Sequence, residues 1–118
     1  IENEIASILL LKKDFNFILK VIVETALIGE KELEEVTLLV NNSQADYIKT
    51  STGFASRGAS LKDIEIIKAH KSDRLKIKAS GGIRELDFAL QLINAGVERI
   101  GSSNAAKLVE EFRQRGGL

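Results

Sequence analysis

The chain has 118 residues, 44% hydrophobic and 29% charged, with 17 basic side chains against 17 acidic ones and a single histidine. This is ordinary globular composition with enough apolar residues for one core, and zero formal charge gives no electrostatic reason for DNA, RNA or an acidic membrane as partner. Cysteine is absent, which excludes disulfides and thiolate metal sites; one histidine argues against an imidazole site, and no apolar run reaches the ~18 residues of a membrane span.

No secretory signal is visible, so a cytoplasmic location is expected. Residue 1 is Ile and the chain has no methionine, so further residues are expected upstream.

Residues 1–11 (IENEIASILLL) place Ile1, Ile5, Ile8 and Leu9 on one helical stripe, with Lys12, Lys13 and Asp14 suiting its end. The next segment, 17–24 (FILKVIVE), is β-branched and apolar and reads as a nearly fully buried strand. Leu19, Val21 and Val23 share one of its faces; Lys20, Ile22 and Glu24 share the other. A helix is predicted over 29–42, acidic in its first turn (Glu30, Glu32) as the dipole prefers, with Leu33, Val36, Leu39 and Val40 apolar.

A second strand is predicted over 46–51, with Tyr47, Lys49 and Ser51 on one face and Ile48 and Thr50 on the other. After a loop over 53–58, Ser60 and Asp63 form a loose capping box. The helix they open, 61–70, is expected to bury Leu61, Ile64, Ile66 and Ile67. A third strand, 75–80 (LKIKAS), sets Lys76 and Lys78 opposite Leu75, Ile77 and Ala79. Gly81-Gly82-Ile83-Arg84 then turns into a helix with Leu86, Ala89, Leu90, Leu92 and Ile93 as its apolar positions and Gly96 at its end. The segment 97–102 is a fourth short strand, and 104–115 a final helix. His70, at a helix end, reads as a surface residue.

The order α-βα-βα-βα-βα argues for a parallel sheet with helical crossovers in one partial domain, 1–118. In a doubly wound sheet both strand faces would be apolar. Here one face repeatedly carries charge: Lys20 and Glu24, Lys49 and Ser51, Lys76 and Lys78. A (β/α)₈ barrel fits, because one face packs on helices and the other lines the barrel and its C-terminal mouth. Buried unpaired charge is costly, so these residues are better read as a site than as core.

Lys49 and Lys78 lie on inward faces of neighbouring strands. A free lysine, with a pKa of about 10.4, is almost wholly protonated at neutral pH. Burial and a second cation nearby lower that value and make an amine that can form a Schiff base. Ser80-Gly81-Gly82 and Gly101-Ser102-Ser103 each end a strand and precede a helix. Such turns let backbone N–H groups approach an oxyanion, and helix N-termini favour phosphate.

From about Leu19 to Ala106 the chain resembles the deoxyribose-phosphate aldolases, class I aldolases built on a (β/α)₈ barrel. The resemblance rests on four motifs in order: KVIVET at 20–25, IKTSTGF at 48–54, KASGGIR at 78–84 and RIGSS at 99–103. It implies that Lys49 forms the Schiff base and that Lys78 tunes it and helps move protons. It implies that Gly53, Gly81, Gly82, Gly101 and Ser103 surround the substrate phosphate, with Lys20, Thr50 and Ser102 also in the binding set. No metal or other cofactor is implied, and the partners are a small phosphorylated sugar or aldehyde and further copies of the enzyme in a homo-oligomer. Ser80 stands where the family usually has alanine, and Asn104 where it usually has serine. The family's acidic proton-relay residue lies on an earlier strand, and its C-terminal tyrosine has no counterpart here.

Only four strands are readable, matching the last four of that barrel, so the chain reads as a C-terminal half, strands five to eight. A whole barrel of this kind takes about 250 residues. Four strands leave two open edges, so the isolated chain is expected to self-associate or to be poorly soluble, and, with its proton relay incomplete, to lack activity. Two other readings stand beside this one: a different lysine-dependent, phosphate-binding barrel aldolase, and a non-catalytic half-barrel used for assembly.

Overall fold

Four short strands, β1 (Lys20–Ile22), β2 (Tyr47–Lys49), β3 (Lys76–Ser80) and β4 (Arg99–Gly101), pair in parallel in the order β1-β2-β3-β4. The structure, a computed structural model, describes residues 1–117. Helices α1 (Glu2–Leu9), α2 (Glu30–Asn42), α3 (Leu61–His70), α4 (Leu86–Asn94) and α5 (Ala105–Gln114) complete the α/β half-barrel expected from the sequence. Among the described residues no helix is long and apolar enough to cross a membrane.

Register sets the faces. Lys20, Tyr47 and Lys76 stand level across β1–β3, and Ile22, Lys49, Lys78 and Arg99 form the next level across all four strands. Side chains alternate along a strand, so Ile48, Ile77 and Ala79 point the other way. They are fully buried, in one cluster with Leu33, Val40, Ile64, Ile67, Leu92 and Leu108 from the helices. The helix layer thus packs one face of the sheet, while the other bears the cations.

Local signals explain most boundaries. Ser60 Oγ accepts from Asp63 N (3.1 Å) while Asp63 Oδ2 accepts from Ser60 N (3.2 Å), the predicted capping box at α3. Gly96, at φ +113°, sits just beyond α4 in a left-handed conformation that favours glycine.

Some expectations fail, each for a physical reason. The segment 17–24 is not a long buried strand: β1 has three residues and Ile22 is 44% exposed. It is an edge strand with one hydrogen-bonded neighbour, and Glu24, at φ +50°, turns the chain into a 3₁₀ turn (Thr25–Leu27). Leu61 is 40% exposed, because Asp63, Ile64, Ile66 and Ile67 set the inward side of α3. At about 100° per residue Leu61 lies far round from that centre. Of the α1 stripe only Ile5 is buried, and in α4 Ile93 is exposed.

Candidate active site

The C-terminal ends of β2, β3 and β4 border a polar cleft of about 390 Å³. Lys49 and Lys78 stand on its floor, and Gly53, Gly81, Gly82, Gly101, Ser102 and Ser103 form its rim. A second cavity, between α4 and α5, is lined by apolar side chains such as Leu90, Ile93 and Phe112, with Ser102 as its one polar residue and that hydroxyl already hydrogen-bonded.

Lys49 and Lys78 are register partners on adjacent parallel strands. Neighbouring strands lie about 4.8 Å apart, so the two side chains rise from one face side by side. The Lys78 ammonium is held below the ordinary lysine value of 10.5, first by burial and then by the charges of Lys49, Lys20 and Arg99. Among the described residues none of Lys20, Lys49, Lys76, Lys78 and Arg99 has an acidic partner within salt-bridge distance. One level down, Lys20 and Lys76 flank Tyr47 and, with Arg99 from the lysine-pair level, gather over its ring, 5.8, 6.0 and 4.8 Å from its centre.

This arrangement has a measurable consequence. A folded-state pKa below 10.5 means that the unfolded chain binds more protons between the two values, so Lys78's share of stability rises with pH across that window. Lys20→Gln removes one of the repelling charges, so the Lys78 titration midpoint should move up. NMR titration of the lysine side chains measures it, and an unmoved midpoint would show that Lys20 does not act on Lys78.

The backbone of the cleft is shaped by glycine. Gly53, Gly81 and Gly82 have φ of +104°, +85° and +71°. Gly101 makes room: a Cβ there would lie 3.0 Å from Ser80 Cβ and 3.3 Å from Lys78 Cε. Ser102 Oγ donates to the Ile83 carbonyl (2.5 Å) and accepts from Asn104 N (3.0 Å), tying the turn after β4 to the turn after β3. Asn104, where serine is usual in the resembled family, joins the same tie through Nδ2 to the Arg84 carbonyl (3.2 Å). At Ser80, where alanine is usual, the hydroxyl donates to the Ser51 carbonyl (2.7 Å) and so buries without loss.

Two residues expected to bind substrate lie elsewhere. Thr50 is fully buried on the face of Ile48; its hydroxyl donates to the Ser80 carbonyl (3.2 Å) and accepts from Ser80 N (3.1 Å), stitching β2 to β3. Strand alternation already assigned it to that face. Lys20 stands level with Tyr47, below the cleft, and bears on it through charge.

Thr52, Ser80 and Arg84 also border the cleft and were not singled out as site residues. Arg84 had a usable signal, a cation two residues after Gly82 at the end of the Gly-Gly turn. Thr52 had none, because its place depends on Glu24: the Thr52 N–H and hydroxyl both donate to that carboxylate from 28 residues away.

No family profile matches the chain. In sequence it is similar to the deoxyribose-phosphate aldolase of Mycoplasmoides pirum, 60% identical over 97 residues, which is 80% of this chain and 44% of that protein. In structure it is similar to an aldolase designated QR15, with a TM-score of 0.90 at 40% identity over 98% of this chain and 52% of that one. It is also similar to the deoxyribose phosphate aldolase of Aeropyrum pernix, described as having a unique tetrameric structure, with a TM-score of 0.85 at 31% identity over 97% of this chain and 49% of that one. The chain spans about half the length of the proteins it matches.

Proposed function

We propose that this chain, a homologue of the deoxyribose-phosphate aldolases over four-fifths of its length, carries the lysine pair and the phosphate cradle of such an enzyme. The reaction is reversible cleavage of 2-deoxy-D-ribose 5-phosphate to D-glyceraldehyde 3-phosphate and acetaldehyde. The observation that carries this reading is the register pairing of Lys49 with Lys78 beneath a glycine-shaped polar cleft.

In this reading the neutral amine of Lys49 adds to the C1 aldehyde of the open-chain sugar, and loss of water leaves an iminium. A base takes the proton of the C3 hydroxyl, the C2–C3 bond breaks, and its electron pair moves into the iminium to give an enamine. Glyceraldehyde 3-phosphate departs. Protonation of the enamine at C2 and addition of water release acetaldehyde and return Lys49 to the free amine. Lys78, whose proton affinity is already lowered, suits the proton transfers. The protonated imine is itself the electron sink, so the bond cleavage asks for no further cofactor. The acidic partner in the relay would come from the other half of the barrel, this chain supplying strands five to eight.

The phosphate sits between the turns after β3 and β4. Positive-φ glycines open backbone N–H groups to it, and α5 begins there with the positive end of its dipole. A phosphorylated substrate does not leave the cell, which supports a cytoplasmic enzyme of deoxyribonucleotide catabolism. The tetramer described for the Aeropyrum pernix protein supports a homo-oligomer.

Gly82→Asp tests the cradle. A Cβ at this position meets nothing closer than Gly58 N at 4.0 Å, so the carboxylate fits, although the φ of +71° is strained for any side chain. In the complete enzyme KM for deoxyribose 5-phosphate should rise on the order of 10²-fold, through charge repulsion and lost backbone contacts. A variant that still discriminated phosphorylated from unphosphorylated sugar as well as its parent would refute this placement.

A further inference from the structure

The loop between β2 and α3 does more than connect them. Ala59 N donates to the carbonyls of both Ser80 (3.1 Å) and Gly81 (3.2 Å), so the loop lies directly on the turn after β3. At the crossing two glycines touch. A Cβ on Gly58 would fall 1.9 Å from the Gly81 oxygen and 2.5 Å from its Cα, and a Cβ on Gly81 would fall 2.8 Å from Gly58 Cα. Real Cβ atoms do not approach backbone so closely, so only glycine permits the contact.

Arg57 fixes that crossing from behind. Its guanidinium grips Asp63 in a bidentate pair, Nη1 to Oδ2 at 2.6 Å and Nη2 to Oδ1 at 3.1 Å. The same group donates to the carbonyls of Gly58 (2.9 Å) and Thr25 (3.3 Å). Asp63 is buried and also caps α3 through Ser60. Burial alone would push its carboxyl up, but the hydrogen bonds and charge of Arg57, with Ser60, hold it below the ordinary 3.8. One planar side chain therefore ties together the segment after β1, the loop after β2 and the start of α3. Planar bidentate geometry makes such a tie directional, which a lysine in the same place would not be.

We propose that Arg57 and Gly58 are positioning residues for the anion end of the site: Arg57 anchors the loop, and Gly58 lets it seat the Gly81-Gly82 turn where an incoming phosphate is bound. The proposal rests on the phosphate assignment made above. Neither residue borders the cleft, so each acts through Gly81. The lysine pair stands on the strands, outside this clamp, and keeps its geometry when the clamp is loosened.

The test uses the complete enzyme with Gly58→Ala and, separately, Arg57→Gln, assayed on 2-deoxyribose 5-phosphate and on unphosphorylated 2-deoxyribose. Misplacement of a binding group by about 1 Å can cost on the order of 10²-fold. Gly58→Ala should therefore raise KM for the phosphorylated sugar at least about tenfold, and Arg57→Gln by a smaller factor. For both, kcat/KM on the unphosphorylated sugar should stay within about twofold. Arg57→Lys, which keeps the charge but not the fork, should recover only part of the loss. Equal losses on both sugars, with the parent still preferring the phosphate ester, would overturn the positioning role alone. A parent with no such preference would overturn the cradle, and this proposal with it. Failure of both variants to fold would assign the two residues to the fold instead and overturn it equally.

Discussion

Lys49→Leu in the complete enzyme is expected to lower turnover on the order of 10⁴-fold or more and to abolish borohydride trapping of acetaldehyde. The expected loss is large because the nucleophile and the electron sink are the same atom: without the amine no iminium forms, and the C2–C3 electrons have nowhere to go. Four decades of rate are about 5.5 kcal/mol of barrier. The fold should tolerate the change. Lys49 is half-buried on the inner face, beside Ile22, outside the core formed by Ile48 and Ile77. A leucine there would stand level with Ile22 without entering that core, so melting temperature should hold. With the parent, peptide mapping after reduction should place the added mass on the peptide containing Lys49. Mass found on Lys78 instead would reverse the roles of the two lysines.

Lys78→Leu should have the next largest effect, a fall in kcat of about 10² to 10⁴, the range for loss of a positioned proton carrier. Borohydride trapping at Lys49 should persist, only more slowly, which separates the two roles. The pH dependence carries a further sign. Lys78 has its proton affinity lowered by burial and by three neighbouring cations, so it can exchange protons below the ordinary lysine range. The variant should lose the limb of the pH–rate profile that this ammonium governs. Unchanged turnover would end the proton-transfer role, whatever the geometry.

The sequence made some of this molecule legible and concealed the rest for definite reasons. Alternation along β2 and β3 was enough to put Lys49 and Lys78 on one face and Ile48, Thr50 and Ile77 on the other, because a two-residue period needs no tertiary information. The Ser60–Asp63 cap was equally local. Interactions between distant segments were not readable. Nothing in the run 53–60 announces that Arg57 pairs with Asp63 while holding a carbonyl 32 residues earlier, or that Gly58 must meet Gly81. The length of β1 was hidden too, since an apolar β-branched run looks alike at a sheet's centre and at its edge. The exposed Ile8, Leu10, Leu11 and Phe15 show how little α1 and the turn after it pack on the rest of the chain.

Tyr47, under its three cationic side chains, gives the inner face a spectroscopic voice. It is the only tyrosine, and the chain has no tryptophan, so near-ultraviolet emission from these 118 residues reports essentially one ring. That ring is 5% exposed because Lys20, Lys76 and Arg99 cover it. Anything that closes over the inner face must draw those charges toward new counter-ions or press on them, and the quantum yield of the phenol will change as it does. Assembly of the sheet with a partner that carries neither tyrosine nor tryptophan can therefore be followed in solution without a label.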